Sequence, residues 1–356
     1  EVLKSVADAP GEYRDLGSYY YGYACLMMGD YPQAITAFER IRDNGYDNVR
    51  FYLAQVHYQM NNYDYALAEL EKAGKKVPQN QVQWLKGKCY FRKNAFDKAA
   101  EAYRLAELSP DTLKVEEQYE IGYSFYRTGD YEGSVLWLSS VAAKGDSLSQ
   151  IASFQLGNAL MKQKRNREAM NAYAEAFRTG YNPDIAEMAL FNQAKLAILL
   201  NDNQSIGLLD KYVKLFPQKA NAKEATKLKA RLLINTDSYR EAVALLDGIG
   251  ELDAQTEEVY QKVTLARGME LYKSRNFVGA LELFEKCAGR RANPDYAAQA
   301  MFWKAEALML QGNEAQAVAA YQSFLDRPAS ASTEVQPYAY YGLGYVKFQQ
   351  KKYAEA

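Results

Sequence analysis

One short phrase recurs along the chain with its spelling changed. It occupies residues 21–38, returns at residues 122–134 and begins again at residue 341. Each time a glycine in an apolar stretch precedes a short turn that ends in Tyr, and a small residue follows. Copies spaced by about 32 to 39 residues are typical of helical-repeat arrays. The repeat therefore constrains the fold more than any single motif does, and it favours function through an extended surface.

Two sites with mostly small residues can be followed through about ten copies. The site in the first helix reads Gly22, Ala54, Gly87, Gly122, Gly157, Ala194, Ala230, Gly268, Ala305 and Gly344. The site in the second helix reads Ala34, Ala66, Ala99, Ser134, Ala169, Ile206, Ala242, Ala280, Ala317 and Ala356. Small residues on facing helices let the backbones approach, and a bulky apolar residue one turn later fills the space beside them. The sixth copy fits worst, and a register shifted by one residue stays open there.

Glycine, asparagine and proline punctuate the copies. Gly or Asn stands in the turn between the two helices, where the left-handed conformation that ends a helix is needed. Proline cannot continue a helix interior, and it follows the second helix at Pro78, Pro110, Pro217 and Pro328. No segment shows the period-two alternation of a strand. The pattern predicts an all-α chain of about ten helix–turn–helix repeats, the last of them incomplete.

These features resemble the tetratricopeptide repeat (TPR) family, whose motif has the same small residues, a Gly-Asp-Tyr-like turn and a closing Pro. The resemblance covers essentially all of residues 1–356. It implies a TPR-type right-handed α-solenoid that forms one continuous superhelix, with a possible subdivision near 217–222. Because the last copy stops early and residues 2–7 look like the end of a second helix, we expect a fragment of a longer array. TPR domains serve many partners, so the resemblance implies protein–protein interaction without naming a partner.

Composition excludes several classes of partner. The 356 residues carry 43 basic and 44 acidic side chains, a net charge of −1, so no strong field attracts nucleic acid. The longest apolar run, residues 196–200, is far shorter than the roughly 18 to 20 residues of a membrane span, which predicts no membrane insertion. The cysteines Cys25, Cys89 and Cys287 fall on apolar helix faces in separate copies. That scatter predicts buried, unpaired thiols rather than a disulfide framework or a metal site.

The residues give little support for an enzyme. The single histidine, His57, occupies a position that is apolar in most other copies, which predicts a packed side chain. Without a second histidine, a zinc site or a Ser/His/Asp triad has little to build from. The glycines stand singly and form no phosphate loop. We therefore predict no catalysis, cofactor or metal, although a glycosidase-like carboxylate pair stays open.

In a TPR superhelix the first helices line the concave face. In the first five copies the residues expected there are mainly aromatic. The predicted partner-binding groove comprises Tyr19, Tyr23, Phe51, Gln55, Tyr58, Trp84, Lys88, Phe91, Tyr119, Tyr123, Tyr126, Arg127, Phe154 and Asn158. Aromatic side chains offer a large contact area at low entropic cost, which suits a peptide or protein segment. The alternative is that these rings pack between repeats.

The carboxylate clamp of chaperone-binding TPR domains needs Lys, Asn and Arg on successive first helices. In the first three copies the corresponding positions are mostly aromatic or Gln. We therefore do not expect that region to hold the C-terminal carboxylate of a partner.

A finer resemblance concerns the second half of the chain. Residues 172–177, 186–196 and 300–307 look like long TPR-array proteins of Gram-negative cell envelopes, which are described beside Tol–Pal system proteins. This resemblance implies a scaffold in an envelope complex, periplasmic or outer-membrane-associated, with the cytoplasm as the alternative. Two other functions stay open. In the first, the chain is a structural segment whose partner site lies elsewhere. In the second, it binds or processes glycans with its aromatic groove.

Overall fold

The computed structural model describes residues 1–46 and 48–356. Within them the chain forms twenty α-helices, two 3-10 segments (Pro110–Thr112 and Pro328–Ser332) and no strand. The α-helices are α1 (Val2–Asp8), α2 (Arg14–Met28), α3 (Tyr31–Ile41), α4 (Val49–Gln59), α5 (Tyr63–Glu71), α6 (Gln79–Arg92), α7 (Phe96–Leu105), α8 (Val115–Arg127), α9 (Tyr131–Ala142), α10 (Ser147–Lys162), α11 (Asn166–Thr179), α12 (Pro183–Leu199), α13 (Ser205–Leu215), α14 (Ala222–Ile234), α15 (Tyr239–Asp247), α16 (Ala254–Lys273), α17 (Phe277–Ala288), α18 (Pro294–Leu310), α19 (Glu314–Leu325) and α20 (Gln336–Gln349). The predicted all-α solenoid of helix–turn–helix repeats is confirmed.

The helices after α1 form successive pairs, beginning with α2 and α3. The contacts divide the chain into an N-terminal unit, Glu1–Leu196, and a C-terminal unit, Ala197–Ala356. This division lies earlier in the chain than the predicted subdivision near 217–222. A single continuous superhelix through both units stays a prediction.

Five glycines of the first helices lie directly against bulky side chains of the second helices. A β-carbon added to any of them would approach that side chain to between 2.5 and 2.9 Å, which real β-carbons do not do. The pairs are Gly22 with Phe38, Gly87 with Tyr103, Gly122 with Leu138, Gly157 with Tyr173 and Gly268 with Phe284. The predicted register of these five copies is confirmed, because each bulky residue is the one that the pattern assigned.

The turn phrase has a physical role in each helix pair. Asn61, Asn94 and Gly129 adopt φ values of 61°, 57° and 81° and so end the first helix in the left-handed conformation. Asp130 follows Gly129, and its carboxylate accepts a hydrogen bond of 3.0 Å from the backbone N–H of Gly133. That bond caps the second helix by satisfying one of its free amide groups. The Gly-Asp-Tyr spelling therefore stops one helix and starts the next.

The sixth copy needs a correction. In α13 the buried residues are Ser205, Leu209 and Tyr212, whereas Ile206 is half-buried. Ser205 thus takes the second small site that the pattern assigned to Ile206, and the register shifts by one residue. Serine suits this site because it is small enough for close helix packing, whereas isoleucine is not.

All three cysteines are free and buried, as predicted. Burial raises the pKa of Cys89 and of Cys287 to about 12. The thiolate is the reactive form of cysteine. We therefore expect Ellman's reagent at pH 8 to label the native protein slowly and to label all three thiols once the chain is unfolded in urea. Fast labelling of the native protein would contradict the buried placement.

Candidate partner-binding site

The predicted groove residues all lie on the first helices of the N-terminal unit. Tyr19 and Tyr23 are on α2, the next three on α4, and Trp84, Lys88 and Phe91 on α6. Helix α8 carries Tyr119 to Arg127, and α10 carries Phe154 and Asn158. We call the surface that these fourteen residues mark on α2, α4, α6, α8 and α10 the first-helix face.

A pocket of about 300 Å³ opens on the first-helix face between α2, α4 and α6. Its lining residues are Leu26, Met27, Tyr31, Gln55, Tyr58, Gln59, Trp84, Leu85 and Lys88. Four of them, Gln55, Tyr58, Trp84 and Lys88, belong to the predicted groove. Met27 lies at the pocket with 70% of its surface exposed. The pocket thus joins side chains from three successive repeats into one surface of mixed polar and apolar character.

Lys88 is held in place by two rings and one carboxylate. Its Nζ lies 4.5 Å from the ring centroid of Trp84 and 5.3 Å from that of Tyr58. The same Nζ donates a 2.8 Å hydrogen bond to Oε1 of Glu117 on α8. The ion pair neutralises the lysine, so the pocket wall carries little net charge. Such a wall is suited to an apolar side chain, with the cation covering one face of Trp84.

A second ion pair lies beside the first. Arg92 donates a 2.6 Å hydrogen bond to Oε1 of Glu120 and contacts the hydroxyl of Tyr58 at 3.4 Å. The Glu120 side chain is buried, and its other oxygen has no hydrogen-bond partner among the described residues. Burial raises the pKa of Glu120, against the opposing effects of Arg92 and Lys88. The ionised carboxylate is therefore under-stabilised at neutral pH.

We expect Glu120→Gln to raise the free energy of unfolding at pH 7. A folded-state pKa above the ordinary value means that ionisation of Glu120 opposes folding at neutral pH, and this penalty fades as pH falls through the raised pKa. Arg92 loses its partner but stays hydrated, since 45% of its side chain is exposed. Urea unfolding of both proteins at pH 7 and pH 4 measures the effect, and the advantage of the variant should shrink at pH 4. A less stable variant at pH 7 would show that the ion pair outweighs burial.

A cluster of rings continues the face beyond the pocket. Tyr123 stacks on Tyr119 with centroids 5.7 Å apart, and its ring edge meets Phe91 at 6.4 Å and Phe96 at 5.5 Å. Burial raises the pKa of Tyr119 to about 12. Tyr123 is half-buried. These rings therefore pack between repeats while leaving part of their surface accessible.

Arg127 is the exposed member of this ring cluster. Its guanidinium carbon lies 4.4 Å from the ring centroid of Phe96 and 5.7 Å from that of Tyr123. One of its nitrogens donates a 3.2 Å hydrogen bond to the Tyr123 hydroxyl. Tyr126, one residue earlier, contacts Tyr131 at 6.0 Å between centroids. The cation is thus positioned by rings.

At the N-terminal edge of the face the rings pack mostly on one another. Tyr19 stacks on Tyr46 with centroids 5.4 Å apart, and Tyr23 meets Tyr52 at 5.3 Å. Tyr23 keeps 40% of its surface exposed. Phe51 is only 5% exposed, and its side chain belongs to the core between α4, α5 and α6. In this structure the Phe51 ring therefore packs in the core and is not accessible from the first-helix face.

The two predicted residues on α10 contact the second helix of their own repeat. Phe154 lies 5.6 Å from the ring centroid of Tyr173. Asn158 accepts a 2.7 Å hydrogen bond from the Tyr173 hydroxyl. Both side chains are half-buried. They extend the first-helix face but lie outside the pocket.

Sequence reasoning missed the pocket residue Met27 and the counter-charge Glu117, whereas Leu26 stands at the repeat position that Tyr58 and Phe91 occupy in the next two copies. The signal for Glu117 was present, because it follows Lys88 by 29 residues, close to one repeat, with opposite charge. Residues one repeat apart on first helices become neighbours when the repeats stack. Met27 carried no such signal.

His57 is half-buried rather than part of the core. Its ring stacks on Tyr65 with centroids 5.5 Å apart, and burial lowers its pKa. Residues 1–46 and 48–356 contain no group of three or more His, Cys, Asp or Glu side chains placed to hold a metal ion. Nor, in the same described part of the chain, does any helix combine the length and apolar character needed to cross a membrane.

Comparison with known families agrees with the helix pairing. Two family models, both described as tetratricopeptide repeat, match residues 26–89 and residues 265–332. The chain contains tetratricopeptide repeats. The first TPR match includes α4 and most of α6, which line the pocket. A search of curated protein sequences found no match.

Solved TPR structures resemble the chain only distantly. YrrB, described as a TPR protein with an unusual peptide-binding site, is 18% identical, with 55% of this chain and 97% of YrrB covered and a TM-score of 0.43. The TPR2AB-domain:pHSP90 complex of yeast Sti1 is 16% identical, with 74% and 98% covered and a TM-score of 0.38. The C-terminal part of a TPR protein from Cytophaga hutchinsonii is 15% identical, with 76% and 94% covered and a TM-score of 0.36. At these values no argument about function rests on them.

Proposed function

We propose that the chain is a non-enzymatic interaction scaffold whose N-terminal unit binds a protein or peptide segment on the first-helix face. The pocket between α2, α4 and α6 carries this proposal. It brings Tyr58 and Trp84 together with Leu26 and the exposed Met27. Aromatic side chains and methionine are enriched in the cores of protein interfaces. The pocket provides an anchor point for an apolar side chain of the partner.

The polar groups at the pocket suit a peptide backbone. Gln55 and Gln59 supply amide donors and acceptors beside the apolar wall. Lys88 is already paired with Glu117, so its charge does not demand an anion in the pocket. An apolar anchor with backbone hydrogen bonds on either side is a recurring mode of peptide recognition.

The same geometry argues against a sugar ring stacked on Trp84. One face of that indole is covered by the Lys88 ammonium at 4.5 Å. A sugar would have to displace a cation that also has a carboxylate partner. The peptide is therefore the better-supported ligand, and glycan binding becomes an outcome of the test.

A random 12-residue peptide library displayed on phage tests the proposal directly. A photo-crosslinker is placed at Gln55 in the pocket, or at Glu101, which is exposed on α7, as the control. We expect selected peptides to share an apolar anchor and to crosslink from position 55 and not from position 101. Failure to select any peptide, or equal crosslinking from both positions, would overturn the proposal. Binding on a parallel glycan array alone would favour the glycan alternative.

We also propose a location in the cell envelope, periplasmic or outer-membrane-associated, as part of an envelope complex. The support is the resemblance of residues 172–177, 186–196 and 300–307 to envelope TPR arrays. Fractionation of the source cells, with an antibody to the full-length protein, tests it. Recovery only with cytoplasmic markers would reject the envelope location.

A further inference from the structure

The basic residues of the first-helix face differ in whether they have an acidic partner. Lys88 pairs with Glu117, and Arg92 pairs with Glu120. Arg127 has no carboxylate partner among the described residues, although it lies on the next first helix. Its side chain is exposed, and the rings of Phe96 and Tyr123 hold it. Arg127 is thus an uncompensated positive charge in an aromatic setting.

The contacts of Arg127 prepare it to bind an anion. A guanidinium has five N–H donors in a planar fork. Among the described residues, Arg127 donates one intramolecular hydrogen bond, to the Tyr123 hydroxyl. Stacking on Phe96 restricts the side chain, which reduces the entropy lost on binding. The remaining donors can receive a carboxylate in a bidentate arrangement. Because Lys88 and Arg92 are neutralised, Arg127 offers the unpaired charge in this part of the face.

We propose that Arg127 binds an acidic side chain, Asp or Glu, of the same extended segment whose apolar residue enters the pocket. This inference rests on the proposed function. Neighbouring helix axes lie about 8–10 Å apart, and an extended chain advances about 3.3 Å per residue. One such spacing separates α6 from α8, so the carboxylate stands about three residues from an apolar residue that packs against Trp84 on α6.

The carboxylate belongs to a side chain inside the segment rather than to the end of the partner chain. Partly exposed rings lie before Arg127 on α6, at Phe91, and after it on α10, at Phe154. A segment that uses both contacts continues past Arg127 in both directions. A chain end would leave one side of this surface without a ligand.

The test uses a synthetic library of 12-residue peptides with acetylated and amidated ends, so that every carboxylate is a side chain. It is screened against the wild type, Arg127→Gln, Arg127→Lys and the control Arg178→Gln. The control removes an equal charge from an exposed pair on the second helix α11. Selected peptides are then compared by calorimetry with their Glu→Gln counterparts and with their free-acid forms. Within one variant this comparison does not depend on the stability of that variant.

We expect the wild type and Arg178→Gln to enrich Asp or Glu about three residues from an apolar residue. The Glu peptides should bind about tenfold more tightly than the Gln peptides, a normal effect for a charge-assisted hydrogen bond. Arg127→Gln should remove the difference, and Arg127→Lys should keep part of it.

Two results would overturn the inference while the proposed function stands. One is peptide binding to the face with no preference for Glu over Gln. The other is binding by free-acid peptides alone, which would assign the carboxylate to a chain end. If no peptide binds any of the proteins, the proposed function fails, and the inference fails with it.

Discussion

Replacing Phe284 by alanine is expected to lower the free energy of unfolding of the C-terminal unit by about 3–5 kcal/mol, the usual cost of truncating a fully buried phenylalanine. Phe284 has no exposed surface, and its ring fills the space above Gly268. The truncation leaves a cavity in the core that also contains Leu265 and Ala280. Urea unfolding followed by circular dichroism measures the change.

Two further variants show whether the effect comes from this contact. Gly268→Leu alone should cost about 1–3 kcal/mol through overpacking, because a β-carbon there already lies 2.6 Å from Phe284. Combined with Phe284→Ala, it should cost less than the sum of the two, since leucine then occupies the vacated space. Val278→Ala on the same helix is the control, because Val278 is 66% exposed. If the stability losses of the two variants simply add, or if the control loses as much, the loss does not come from the contact between Gly268 and Phe284.

Trp84→Ala is expected to weaken binding of a selected peptide at least tenfold, which corresponds to about 1.4 kcal/mol. A few central aromatic residues usually carry most of the energy of an interface, and Trp84 forms a wall of the pocket. Tyr123→Ala should have an effect of similar size if the ring cluster on α8 belongs to the same interface. Calorimetry with one peptide across all variants gives the comparison.

The controls separate binding from packing. Trp84 also packs against the cores on both sides of α6, so Trp84→Phe, which keeps most of the packing, should bind better than Trp84→Ala at equal helicity. Glu101→Ala is the exposed control. Losses that only follow unfolding would assign Trp84 to packing, and the chain would then be a structural segment.

Equivalent positions in the repeat have different surroundings. Phe51 and Trp84 both stand three residues before the small site of their copy, yet Phe51 is buried and Trp84 lines the pocket. Tyr173 donates a hydrogen bond to Asn158, whereas the hydroxyl of Tyr103 has no partner among the described residues. At the position of Asn158, the copy of Tyr103 has Lys88, which pairs with Glu117 instead.

The sequence by itself determined the helical repeat, its register in five of the copies with glycine, and the burial of the three thiols. The repeat and its register follow from steric requirements that recur from copy to copy, and the burial of the thiols follows from their positions on apolar helix faces. Only the tertiary structure decided which rings stay accessible, which cations are neutralised and where the pocket opens. Those outcomes depend on side chains that meet across neighbouring repeats, such as Lys88 with Glu117. The repeat pattern specifies the positions of such residues, but their contacts depend on which particular side chains meet there.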